Sequence, residues 1–168
     1  MVHLHEIISQ VSTLDEAADY RRKVEERGEV FVLTNGCFDL LHAGHVYCLE
    51  KAAALGDHLW VALNSDASVR SIKGSSRPLQ GQLERAYVLL SQKSVSGVTF
   101  FDAERLVAEI KTLYPNVYAK AGDYSLETID QEERAALEEV DAEIRFLPFL
   151  EGFGTTGLLE RIKSLPDI

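Results

Sequence analysis

Cysteine is scarce in this chain of 168 residues: there are two, Cys37 and Cys48. They form no CxxC pair and no other metal-type cysteine spacing, so a disulfide framework is excluded and two free thiols are expected. No apolar run approaches the roughly 20 residues that a membrane-spanning helix needs. The opening residues, Met1-Val2-His3-Leu4-His5-Glu6, lack the basic start and apolar stretch of a signal peptide. A cytoplasmic protein with no membrane partner is the expectation. Positive charge is also in deficit, with 17 Lys and Arg against 27 Asp and Glu and a formal net charge of −10. Phosphate backbones are bound by basic faces, which argues against DNA or bulk RNA as a partner. A small anionic ligand remains compatible, because a few local donors outweigh a distant field. Repeats, low-complexity tracts and linkers are absent as well.

What is present is an ordinary globular balance, 46% hydrophobic and 26% charged, in a length that suggests one domain with its own core. Strand-like and helix-like segments alternate. Thr13 and Glu16 form a capping box before a charged amphipathic helix that stops near Gly28. We read residues 1–28 as an N-terminal helical extension and 29–168 as the main domain. Residues 30–34 form an apolar strand buried on both faces. A loop (35–41) and a helix (about 44–55) follow. Residues 58–63 are a second strand, with Trp60 turned into the core. A polar segment, 64–78, is expected as a loop carrying Lys73, Gly74 and Arg77. Then come a helix (82–92), a strand (98–101), a helix (103–113) ended by Pro115, and a strand (117–120). A turn at 121–124, an acidic helix to about Val140, a strand (144–147) and a last helix (157–163) complete the chain. This alternation predicts an α/β domain with a mostly parallel five-stranded sheet and helices on both faces. Ligands in such sheets sit beyond the carboxyl ends of the strands. That places the chemistry in the segments 35–45, 64–77, 120–124 and 151–156.

The first strand runs into Asn35-Gly36-Cys37-Phe38-Asp39-Leu40-Leu41-His42-Ala43-Gly44-His45. Histidines three apart at a helix start share a face. Gly44 between them lets a phosphate approach the backbone, and the helix end adds free N–H groups and positive dipole. Together these suit negative charge developing on phosphorus, with imidazoles as donors and no covalent step. An isolated HxxH is a weak signal that two solvated or core histidines would also explain. A zinc site from His42, His45 and Asp39 or Cys37 is a sharper rival, although no fourth ligand suggests itself. The whole string is far more specific than its two histidines.

The segment from Gly36 to His45 resembles the signature of the cytidylyltransferase-like nucleotidyltransferases, and the resemblance spans roughly residues 29–163. It implies a Rossmann-like fold. Within that family, the branch that makes ADP-heptose from a heptose 1-phosphate is the most similar. Asn64-Ser65-Asp66-Ala67-Ser68, Lys73-Gly74-Ser75-Ser76-Arg77-Pro78, Lys120-Ala121-Gly122-Asp123-Tyr124 and Glu151-Gly152 ahead of Thr155-Thr156 carry that likeness. Glycerol-3-phosphate cytidylyltransferases usually have an arginine where Phe149 stands here.

The resemblance implies transfer of AMP from ATP to a sugar phosphate with release of pyrophosphate and with Mg²⁺ on the triphosphate. The alternatives are a cytidylyltransferase acting on glycerol 3-phosphate or another small phosphate ester, and a nucleotide-binding protein that has lost catalysis. His42, His45, Lys73 and Arg85 are the expected catalytic residues. Gly36, Cys37, Phe38, Asp39, Gly44, Asn64, Asp66, Arg77, Lys120, Gly122, Asp123, Gly154, Thr155 and Thr156 are the expected nucleotide contacts. Asp39 is equally well explained by a structural turn, and Thr155 by helix capping. No protein-held metal is expected. The family often has Ser before the paired threonines and Asn, Ser or Lys after them. Gly154 and Gly157 stand there instead, removing side-chain donors. A homodimer is expected by resemblance.

Overall fold

In the computed structural model, residues 9–148, 150 and 152–166 are described. The first six residues, Phe149 and Glu151, which the sequence reading used, lie outside them. Strand β1 (Phe31–Gly36) is the centre of a five-stranded, wholly parallel sheet. Around it lie β2 (His58–Asn64), β3 (Gly97–Phe101), β4 (Val117–Ala121) and β5 (Glu143–Leu147), in the order β3-β2-β1-β4-β5. The chain leaves β1 first toward β2 and later returns to its other side at β4, so the connections diverge between β1 and β4. That divergence opens a crevice at the carboxyl edge.

Alternation along each strand divides the core in two. Phe31 and Leu33 face α1 (Leu14–Glu26), α5 (Val107–Leu113) and α6 (Gln131–Glu139), together with Trp60, Tyr118, Ile110 and Leu137. Val32, on the opposite face, packs with Leu49 and Ala52 of α2 (Ala43–Ala53) and Ala86 and Leu89 of α4 (Gln82–Leu90). Helices therefore cover both faces, as the sequence pattern predicted. None is long and apolar enough, among the described residues, to cross a membrane.

The capping box of α1 is formed: the Thr13 amide donates to Glu16 Oε2 at 2.7 Å and the Glu16 amide to Thr13 Oγ1 at 3.2 Å. This helix packs within the same core as the sheet. Ala17 and Val24 are fully buried in it, the Ser12 amide donates to the Val98 carbonyl at 3.0 Å, and Arg21 Nε donates to the Tyr114 carbonyl at 2.9 Å.

The segment expected as a polar loop is instead a helix, α3 (Asp66–Lys73). Ser65 caps it through its Oγ, which accepts from the Ser68 amide, and Gly74 ends it at φ 92°. Its inner side is made by Ser68 and Val69, too little apolar surface for periodicity to reveal. The helix expected from 103 begins at Val107, and the last helix, α7 (Thr155–Lys163), starts two residues early.

Trp60 is 2% exposed, as expected for a core residue. Its cross-strand partner is Gly97, where an added Cβ would lie 2.3 Å from the indole ring. Backbone atoms on both sides are fixed by the sheet, so the ring has little room to retreat. Gly97→Ala should therefore overpack this site and destabilise the protein by roughly 1–3 kcal/mol. Urea denaturation checks this, and an unchanged midpoint would show that the indole relaxes freely.

Candidate active site

The signature loop leaves β1 at Gly36 and enters α2 at Ala43, with His42 as its N-cap residue in extended conformation (φ −140°, ψ 171°). The His42 carbonyl accepts from the His45 amide at 2.9 Å and the Val46 amide at 3.2 Å, while its side chain makes no capping bond. The ring is thus left for other work. It stacks on the His45 ring with centroids 3.9 Å apart and planes 28° from parallel. Gly44 makes this possible. A Cβ there would come within 3.0 Å of the His42 ring and 3.1 Å of Phe153 Cβ. The same close contact joins the histidine pair to the turn that precedes α7.

Both Nδ1 atoms are buried and have no hydrogen-bond partner among the described residues. Burial first, then the neighbouring His42 and the charge of Lys73, pushes His45 down to about 4 from the usual 6.5. Burial lowers His42 as well. Both rings are therefore neutral near pH 7; a neutral ring has one donor and one acceptor, and His45 already makes a hydrogen bond to the backbone at Leu40.

These rings face a cavity of about 910 Å³ at the carboxyl edge of the sheet. Gly36, Cys37, Phe38, Asp39, His42, Gly44, His45, Asn64, Lys73, Lys120, Gly154 and Thr155 line it. The end of α7 opens into it uncapped, since Gly154 is the N-cap residue and offers no side chain. Lys73, the last residue of α3, is exposed and makes no hydrogen bond or ion pair among the described residues. Asp66, Arg77, Arg85, Gly122, Asp123 and Thr156 do not line the cavity.

Arg85, expected among the catalytic residues, is bonded within the protein. It is 1% exposed, and its donors are committed: Nε to the Gln80 carbonyl at 3.1 Å, Nη1 to the carbonyls of Cys37 at 2.6 Å and Asn64 at 2.9 Å, and Nη2 to Asp66 Oδ1 at 2.8 Å. Asp66, expected in the nucleotide pocket, is its counter-ion. Asp39 is 3% exposed and accepts from Arg77 Nη1, the Leu79 amide at 2.6 Å and the Gln80 amide at 3.2 Å. Burial works to raise its pKa, but the Arg77 guanidinium and the two amides outweigh burial and hold the carboxyl below its ordinary range. Asp39 and Arg77 thus fasten the 77–80 segment to the signature loop.

One cluster was not foreseen. Tyr118 Oη donates to Asn35 Oδ1 at 2.8 Å, and Lys120 Nζ donates to Asn35 Oδ1 at 3.1 Å, to Tyr118 Oη at 3.0 Å and to Glu133 Oε2 at 3.4 Å. Tyr118 and Lys120 share a face of β4 by strand alternation. Period two along that strand was the available signal. Glu133 comes from α6, and nothing in the sequence joined it to the site.

A parallel sheet of this order, with paired imidazoles and an open helix end at its switch point, defines a nucleotide-binding α/β domain that suits transfer at phosphorus. The sequence pattern of the cytidylyltransferase-like family matches residues 33–157. The chain belongs to that family and is a nucleotidyltransferase. It is 42% identical over 156 residues to the bifunctional protein HldE of Geotalea uraniireducens, covering 93% of this chain and 31% of that one. The protein of the same name from Geobacter sulfurreducens is 41% identical over 154 residues, covering 92% and 31%. The chain thus spans about a third of the length of these curated relatives. Among solved structures, the lipopolysaccharide core biosynthesis protein of Thermoplasma volcanium has the same fold. Its TM-score is 0.60 at 20% identity, covering 73% of this chain and 98% of that one.

The lowered His45 makes a stability prediction with a definite sign. As pH falls, the unfolded chain takes up this proton near 6.5, whereas the folded chain resists until about 4. Folded stability is therefore lost across that window, by about 2 kcal/mol between pH 7 and pH 5 from this group. His45→Gln should lose correspondingly less over the same interval in urea titrations. Equal losses in both proteins would refute a buried neutral imidazole.

Proposed function

We propose that this domain transfers AMP from ATP to a sugar phosphate, heptose 1-phosphate, and releases pyrophosphate. The observation that carries the reading is the stacked, neutral histidine pair, whose Nδ1 atoms have no partner among the described residues and which Gly44 lets approach the turn that opens α7. Such a pair, next to an uncapped helix end, is a ready-made donor array for a triphosphate. The resemblance of the four edge segments to the ADP-heptose-forming branch supplies the choice of base and sugar.

In this reading an oxygen of the sugar phosphate attacks the α-phosphorus in line. The new P–O bond forms as the bond to the β-phosphate oxygen breaks, and pyrophosphate leaves with that electron pair. Charge grows on the equatorial and leaving oxygens. His42 and His45 donate to those oxygens, and desolvation in the cavity strengthens each such bond. Lys73, unpaired at the rim, adds a mobile positive charge. The N–H groups at the start of α7, around Thr155, hold the terminal phosphates. No group of three or more His, Cys, Asp or Glu side chains among the described residues is arranged to hold a metal. Asp39 is already committed to Arg77. A magnesium ion would therefore be held chiefly by triphosphate oxygens and water, and it supplies charge neutralisation on the leaving group.

The test is pyrophosphate release with ATP or CTP across a panel of sugar and polyol phosphates. Release confined to ATP with heptose 1-phosphate is the expected outcome, and turnover only with CTP and glycerol 3-phosphate would overturn the choice of substrates. His42→Ala and His45→Ala should each lower kcat by at least about 100-fold, the scale for loss of one transition-state donor, while thermal unfolding stays cooperative. Wild-type rates in either variant would remove the histidines from the mechanism.

A further inference from the structure

The cavity is two-sided in charge. One side carries His42, His45, Lys73 and the open end of α7. The other carries Lys120 paired with the buried Glu133, and beside them Arg105 paired with Asp130 at 2.6 Å. Glu133, 4% exposed, already answers the charge of Lys120, so this side suits a triphosphate with its several negative charges less well than the first. A molecule with one phosphate and several hydroxyls would be suited by it, because carboxylates accept hydroxyl protons well.

Resting on the nucleotidyltransfer reading above, we propose that Lys120 binds the attacking phosphate of the acceptor and that Glu133 selects an acceptor whose carbon skeleton bears hydroxyls. The hydrogen bonds show how. An ammonium has three protons, and Lys120 spends two on the part-buried bonds to Asn35 Oδ1 at 3.1 Å and Tyr118 Oη at 3.0 Å. The third contact, to Glu133 Oε2 at 3.4 Å, is the longest and the one most easily surrendered. The Tyr124 ring, 5.3 Å from the ammonium, limits where the side chain can go. When the acceptor arrives, its phosphate takes the third proton of Lys120. Glu133 is then left with a free Oε2, while its Oε1 stays fixed by the Leu106 amide at 3.0 Å. A buried carboxylate oxygen that loses its partner needs another, and a hydroxyl of the incoming ester supplies it. The exchange favours a phosphate that brings hydroxyls over one that does not.

The experiment compares wild type, Lys120→Met, Lys120→Arg and Glu133→Gln, the last keeping an acceptor for the Leu106 amide. Acceptor KM and kcat are measured with ATP and heptose 1-phosphate, alongside calorimetric binding of a non-hydrolysable ATP analogue. Lys120→Met should raise acceptor KM at least 30-fold, with partial rescue in Lys120→Arg. Glu133→Gln should raise it about 10-fold. Binding of the ATP analogue should stay within 3-fold in all of them. Weakened analogue binding with unchanged acceptor KM would assign Lys120 to the nucleotide and overturn the proposal, leaving the transfer reading intact. Unchanged acceptor KM in both Lys120→Met and Glu133→Gln would overturn it equally. If the wild type uses a different phosphate ester, the heptose assignment fails and the same comparison on that ester decides the proposal. A wild type inert with every ester sinks both.

Discussion

One buried guanidinium holds the catalytic edge of this domain together. Arg85 rises from α4 and donates to the Cys37 carbonyl after β1, the Asn64 carbonyl at the end of β2, the Gln80 carbonyl before its own helix, and Asp66 at the start of α3. Those carbonyls lie at the last residue of β2 and in the loops after β1 and before α4, where Arg85 supplies buried acceptors with a donor. A planar fork with five N–H groups is the one side chain that can serve all of them at once. Asp39 works from the other direction, drawing the 77–80 segment onto the signature loop through Arg77 and two amides. The position of Cys37 to Asp39, and hence the line of approach to His42, follows from these two side chains.

The two histidines of the signature loop, by contrast, are conspicuous for what they do not bond. The histidine rings touch each other and have no partner at Nδ1. Burial keeps them neutral, which avoids the cost of two facing cations. It also leaves them able to donate once an anion arrives. A net charge of −10 is, as a distant field, a poor setting for a nucleotide. Screening reduces charges beyond about 8–10 Å to a weak background, while Lys73 and the dipole of α7 act at contact distance. The acidic composition therefore has little say over a small anion.

The sheet was legible because its strands are apolar runs of five to seven residues separated by helices, and each face repeats with period two. The signature loop was legible as a string. Helix α3 was not, because a short polar helix capped by Ser65 has the composition of a loop. Arg85 stood at a position that matched the family, but a sequence does not say which way a guanidinium points. Here it points inward and braces the loops around it. The converse error was to pass over Tyr118 and Glu133, both buried. A tyrosine on an apolar strand and a glutamate at the start of an acidic helix each have an ordinary explanation, and only their meeting at Lys120 distinguishes them.

Proximity to a motif is therefore a weaker guide to function than spare bonding capacity. Arg85, Asp39 and Asp66 all sit in or beside the signature segments, and the bonds of Arg85 and Asp39 in particular are satisfied within the protein. Binding a ligand would require them to give up bonds that hold the loops. His42, His45 and Lys73 have capacity left over, and a folded protein tolerates such groups at the floor or rim of a cavity, where water or ligand can complete them. Lys120 falls between these classes. Two of its bonds belong to the scaffold, and the third is the longest and ends on a carboxylate that is itself half committed. A group of that kind can exchange one partner without loosening the sheet, which is what binding one substrate in front of a fixed second one requires.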